Sequence, residues 1–173
     1  MKDWTEEEIR NRDLRAPCGW YCGVCGVYRA TSVGNEKFKA VLGKLYGTPP
    51  EQTECLGCMQ ADPPRLLYGY CRDCPIRECG RAKSYTSCHQ CDDWPCTLIE
   101  GFPLATGRRV MMRAIPQWRE RVAALGPEDG DVAWARRECA RYHCPDCGEP
   151  LFRGAQRCRA CKAPVADRLD GSL

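Results

Sequence analysis

Residues 71–96 read CRDCPIRECGRAKSYTSCHQCDDWPC, and one unit, C-x2-C-x4-C, stands in them twice: Cys71, Cys74, Cys79, then Cys88, Cys91, Cys96. A cysteine used for packing behaves as a small hydrophobe and comes singly among apolar neighbours. Here the neighbours are Arg72, Asp73, Arg77, Glu78, Arg81 and Lys83. Six thiols in so polar a segment read as ligands.

The whole chain has 173 residues and 16 cysteines. That length fits one domain with a small appendage. Aliphatic residues are thin along the middle, so crosslinks, either disulfides or metals, must supply what a small core lacks. Compartment decides between them. Met1 is followed by Lys2, Asp3 and the acidic run Glu6, Glu7, Glu8 rather than by an apolar stretch, so no secretory signal is expected. No run of eighteen apolar residues marks a membrane span. The expectation is a cytoplasmic protein whose cysteines bind metal rather than pair as disulfides.

Lys and Arg number 26 against 23 Asp and Glu, a balance too even to argue for nucleic acid. An ion held by four thiolates also adds negative charge. A basic nucleic-acid surface therefore has little support, and an unidentified protein is the expected partner.

Outward from the central stretch, the most specific pattern lies in the tail. Cys144-Pro-Asp-Cys147 and Cys158-Arg-Ala-Cys161 are two C-x2-C knuckles separated by a hairpin-length segment, the spacing of a zinc ribbon with β-hairpins. Each knuckle aims two sulfurs at one point, and the two complete a tetrahedron. Closed four-thiolate coordination leaves no open position for catalysis.

Upstream, Cys18, Cys22 and Cys25 form a C-x3-C-x2-C run with glycines that permit tight backbone, and Cys55-Leu-Gly-Cys58 is a further knuckle-like pair. Cys139 lies in an apolar helical setting and is the expected non-ligand. His89 and His143 flank ligand cysteines and are expected in supporting or solvent positions. The twelve thiols outside the ribbon could form three zinc sites. Alternatively, eight of them could hold two four-iron clusters within 18–96, although the ferredoxin spacing C-x2-C-x2-C-x3-C-P is absent.

Helical patterns surround these motifs. Residues 4–16 open with a capping box, Thr5 with Glu8, and a Trp4–Ile9 staple, and Pro17 closes them. Over 35–46, Phe38, Val41, Leu42 and Leu45 form a stripe read as core. A brief helix is expected over 97–104, and another over 108–125 with Pro116 as a kink. A third over 131–142 carries Trp134.

The stretches CGWYCGVCGVYRA (18–30), TECLGC (53–58), CRDCPIRECGRAK (71–83), SCHQCDDWPC (87–96) and RYHCPDCGEPL (141–151) resemble, in this order, the DUF3795 family of cysteine-rich prokaryotic proteins. The resemblance implies zinc binding and no established activity. The triplet at 18–25 is also similar to the cluster triplet of radical S-adenosylmethionine enzymes. This chain has neither the length nor the strand–helix alternation of their barrel.

The expected fold is small and metal-stabilised, mainly α with irregular cysteine-rich loops and a C-terminal zinc ribbon. Its parts are a metal-binding domain (1–105), a helical segment packed on it (106–142), the ribbon (143–166) and a flexible tail (167–173). No Ser-His-Asp set, Walker A motif or GxGxxG fingerprint is present. The expected role is a multi-zinc structural or interaction module rather than an enzyme. The alternative is an iron–sulfur redox protein or accessory subunit of a larger anaerobic enzyme. From the knuckle spacing, replacing Cys147 by Ser should release one metal and unfold only the tail; collapse of the full chain would make the ribbon integral to the core.

Overall fold

The computed structural model describes residues 3–61, 64–165 and 169–170. Helix α1 (Glu6–Arg10) begins with the expected capping box: Thr5 Oγ1 accepts from the Glu8 N–H at 3.1 Å, and the Glu8 carboxylate accepts from the Thr5 N–H at 2.9 Å. The helix stops well before Pro17. Asn11 takes an extended conformation and its side chain accepts from the Asp13 N–H, starting a separate 3₁₀ turn, Arg12–Leu14.

Two short helices follow, α2 (Gly26–Ser32) and α3 (Glu36–Tyr46). Asn35 caps α3 by accepting from the Phe38 N–H, and Gly47 ends it in the left-handed conformation, φ +67°. The stripe expected to be core is only partly buried. Leu42 is buried, but Val41 and Leu45 are 63% and 62% exposed. The inward face is instead Lys39, Leu42 and Gly43. The Lys39 stem lies inside while its ammonium reaches Glu54 and Glu36 at 2.5 and 2.8 Å. At Gly43 a Cβ would meet the Thr48 carbonyl oxygen at 2.5 Å, so only glycine lets that loop approach.

The cysteine-rich middle contains α4 (Gly69–Arg72), α5 (Pro75–Ala82), a 3₁₀ turn (Cys88–Gln90) and α6 (Thr97–Glu100), which is shorter than the helix expected over 97–104. Two long helices then pair, α7 (Ala105–Leu125, with Pro116 inside it) and α8 (Pro127–Arg141), joined at Gly126 with φ +83°. Trp118 and Trp134, both fully buried, stack with ring centroids 3.7 Å apart and 7° between their planes. Gly130 lets the helices close: a Cβ there would sit 2.5 Å from the Val122 Cα.

No β-sheet forms among the described residues, so the β-hairpins expected of the ribbon are absent. Each knuckle has instead a single antiparallel bridge, His143 with Pro150 and Arg157 with Pro164. Proline lacks the N–H that would extend the ladder at each bridge. The rest of each arm is a turn around its cysteines.

The ribbon also does not stand apart. Cys144, Leu151, Ala155, Cys158 and Val165 belong to the same buried cluster as Trp4, Tyr21, Trp118 and Trp134. Of the segment read as a flexible tail, Leu169 is buried. Asp170 accepts hydrogen bonds from Arg113 and the Tyr142 hydroxyl. The other tail residues lie outside the described residues. Among the described residues, no helix is long and apolar enough to cross a membrane.

Candidate metal centre

The two knuckles are copies of one local structure. In the first, the Cys144 N–H donates to the Glu149 carbonyl at 2.9 Å and the Gly148 N–H to the Cys144 carbonyl at 2.8 Å. The second repeats both bonds one for one, Cys158 to Ala163 at 2.8 Å and Lys162 to Cys158 at 3.0 Å. Gly148 and Lys162 occupy the same position and both take positive φ, +73° and +65°. The lysine accepts a strain that glycine avoids.

Their four sulfurs converge. Cys144 Sγ lies 3.6 Å from Cys161 Sγ, and Cys147 Sγ lies 3.6 Å from Cys158 Sγ. A tetrahedral ion with Zn–S near ~2.3 Å separates its sulfurs by about 3.8 Å, so this spacing fits one such ion. All four ligand atoms lie within 4.8 Å of one another, and the group can hold a metal ion. Cys144 and Cys158 face the core, while Cys147 and Cys161 face solvent. Backbone N–H groups of Cys161 and Ala160 bring the Cys158 thiol down to about 7, toward the thiolate a metal requires.

His143 points elsewhere. Its Nε2 is 3.2 Å from Asp3 Oδ1, its Nδ1 faces the Ala140 carbonyl, and its ring meets Trp4 edge-on. His89 packs its ring against Trp118, 5.0 Å between centroids, and burial lowers its pKa. Cys139 lies in the core beside the Tyr21 hydroxyl, and burial pushes it up to about 12.

The remaining eleven cysteines fall into two groups that the repeated C-x2-C-x4-C unit does not reveal. Around Cys22, half-buried and with its thiol raised well above the ordinary value by desolvation, lie the thiols of Cys58, Cys55, Cys25 and Cys71. Cys18, also half-buried, has Cys58, Cys74 and Cys88 as its thiol neighbours. These make one group, interior at its buried pair Cys55 and Cys58 and half-buried elsewhere: Cys18, Cys22, Cys25, Cys55, Cys58, Cys71 and Cys74. Cys79 leaves its own unit for the second group, where it lines a cavity with Cys88, Cys91 and Cys96.

Helix α5 explains the split. Cys74 is its N-cap and Pro75 its first residue. Cys79 stands five residues on, which at 3.6 residues per turn is a rotation of roughly 140°. The two thiols therefore face opposite sides. In the second unit the chain turns back after Cys91 and Cys96 is the N-cap of α6, so those sulfurs stay together. Pro75 was the available sequence signal, since proline after a cysteine marks a first helical turn.

Arg119, which the motifs did not single out, fixes this second group from α7. It donates to the His89 and Cys91 carbonyls at 2.9 and 2.6 Å. Lys83 donates to Cys91 Sγ at 3.6 Å and pairs with Asp93 at 3.2 Å.

A family model described as a protein of unknown function (DUF3795) matches residues 14–101. The chain belongs to that family. The match takes in all eleven cysteines of the group of seven and the cavity and ends before the ribbon quartet. No curated protein and no solved structure matches the chain.

Proposed function

We propose that this protein is a metal-loaded structural module whose ribbon quartet, Cys144, Cys147, Cys158 and Cys161, takes zinc, with further metal in the DUF3795 region. The 3.6 Å spacing of the paired sulfurs carries this reading, because it fits one tetrahedral ion and no larger group. Four thiolates fill the coordination sphere, so the ion holds structure rather than activating water. Apparent binding energies for such zinc are about 10–16 kcal/mol, enough to decide whether a small fold forms.

The group of seven, Cys18, Cys22, Cys25, Cys55, Cys58, Cys71 and Cys74, supplies further thiolate ligands where aliphatic side chains are few. The role is that of an interaction module with a protein partner, in a compartment reducing enough to keep thiols free, as in the cytoplasm. Zinc-to-chain stoichiometry on anaerobically purified protein tests the reading. At least one zinc per chain, retained through gel filtration, supports it. A folded chain free of zinc refutes it.

A further inference from the structure

The ribbon quartet is closed and the cavity quartet is open. Cys79, Cys88, Cys91 and Cys96 line one cavity of about 220 Å³. Among the described residues, the ribbon is the one group whose ligand atoms come within 4.8 Å of one another. The cavity thiols are thus too far apart for a single tetrahedral ion, whose sulfurs sit about 3.8 Å apart. They still surround one space, since all four line the same cavity.

We infer that these four cysteines hold one iron–sulfur cluster of the four-iron class. A cluster places several iron atoms between its thiolates and so suits sulfurs spread around a cavity. The rest of the lining agrees. Ile76, Leu98, Ile99 and Trp94 make the walls largely apolar, which keeps water from bridging sulfides and favours a low dielectric. Lys83 sets a cation against Cys91 Sγ at 3.6 Å, the kind of donor that offsets thiolate charge and tunes potential. Arg119 ties the backbone that carries Cys88 and Cys91 to α7, so the ligand loop is held independently of the cluster. Three of these ligands, at 88, 91 and 96, form one C-x2-C-x4-C unit and the fourth, at 79, comes from the other, so the repeat by itself does not mark the site.

This inference deepens the metal-module reading, and the two fail separately. The full chain is reconstituted anaerobically with ferrous and ferric iron in equal parts and sulfide, so that two of each and four sulfides make the 2+ core, and iron, acid-labile sulfide and zinc are counted. The expected result is about four iron and four sulfide per chain with broad visible absorption, beside zinc that is lost only in Cys147→Ser. In the Cys88→Ser/Cys96→Ser variant, iron and sulfide should drop by one cluster while ribbon zinc and the near-ultraviolet signal of the Trp118–Trp134 stack persist. Lys83→Met, which leaves all four ligands, should keep the iron and lower the reduction potential. No bound sulfide in the wild type, or full iron in the double variant, overturns the assignment. Iron bound without ribbon zinc would overturn the structural reading and leave this one standing.

Discussion

The Arg153 backbone N–H donates to the Val24 carbonyl at 2.7 Å, tying the linker between the two ribbon knuckles to the turn between Cys22 and Cys25. The Arg153 side chain goes further, donating to the Tyr21 carbonyl at 3.2 Å and lying over the Trp20 ring at 4.7 Å. The segment that spaces the ribbon cysteines is therefore also a wall of the N-terminal cysteine region. Loss of the ribbon metal should be felt there.

Cys147→Ser tests that coupling. Cys147 is exposed, so the substitution leaves no cavity, and its effect runs through the metal. Had the ribbon been separate, only the tail would unfold. With Leu151, Ala155 and Val165 in the common core, the whole chain is expected to melt at lower temperature in one cooperative transition. Two resolved transitions in calorimetry, the larger at the wild-type temperature, would show the ribbon to be independent.

Gly130→Ala sets helix propensity against packing. Alanine favours a helix interior by about 1 kcal/mol over glycine. The added Cβ would meet Val122 backbone at 2.5 Å, however, and backbone cannot step aside as a flexible side chain can. Overpacking of this kind costs about 1–3 kcal/mol, so the net effect expected is a loss of stability in denaturant titration.

Asp170 accepts from Arg113 at 3.2 Å and from Arg141 at 3.4 Å, besides the Tyr142 hydroxyl. Arg113 keeps a second buried partner, Glu138, at 2.5 Å, so removing Asp170 does not orphan it. Asp170→Asn should cost about 1.5–3 kcal/mol, the worth of hydrogen bonds to a charged group, measured by chemical unfolding. A variant as stable as the wild type would mean the tail does not brace α7 against α8.

Cys139 gives a pH dependence. Burial holds its thiol near 12, against about 8.5 in an unfolded chain. Below the unfolded value both states are protonated and nothing is lost. As pH rises from about 8.5 toward 12, the unfolded chain releases a proton the folded chain keeps, and stability falls by up to about 1.4 kcal/mol per pH unit. Cys139→Val should flatten that alkaline slope and leave metal content unchanged, read by unfolding at several pH values and by zinc and iron counts. Loss of metal in this variant would make Cys139 a ligand.

What the sequence showed depended on how local the cause was. The capping box at Thr5 and Glu8 and each C-x2-C knuckle of the quartet join residues three positions apart, and all appear where spacing placed them. The position of Cys79 needed the helix turned by Pro75, and the exposure of Val41 and Leu45 needed Glu54, which draws Lys39 inward from outside the helix. Arg153 is more distant still. An arginine between two knuckles reads as linker until the fold brings Tyr21 and Trp20 to it.

Zinc X-ray absorption on the loaded chain tests the central claim most directly. A closed all-thiolate site with His143 turned toward Asp3 predicts a shell of four sulfurs at about 2.3 Å and no imidazole nitrogen. A nitrogen or oxygen shell near ~2.0 Å would contradict it, placing a histidine or an open, water-bearing position on the metal.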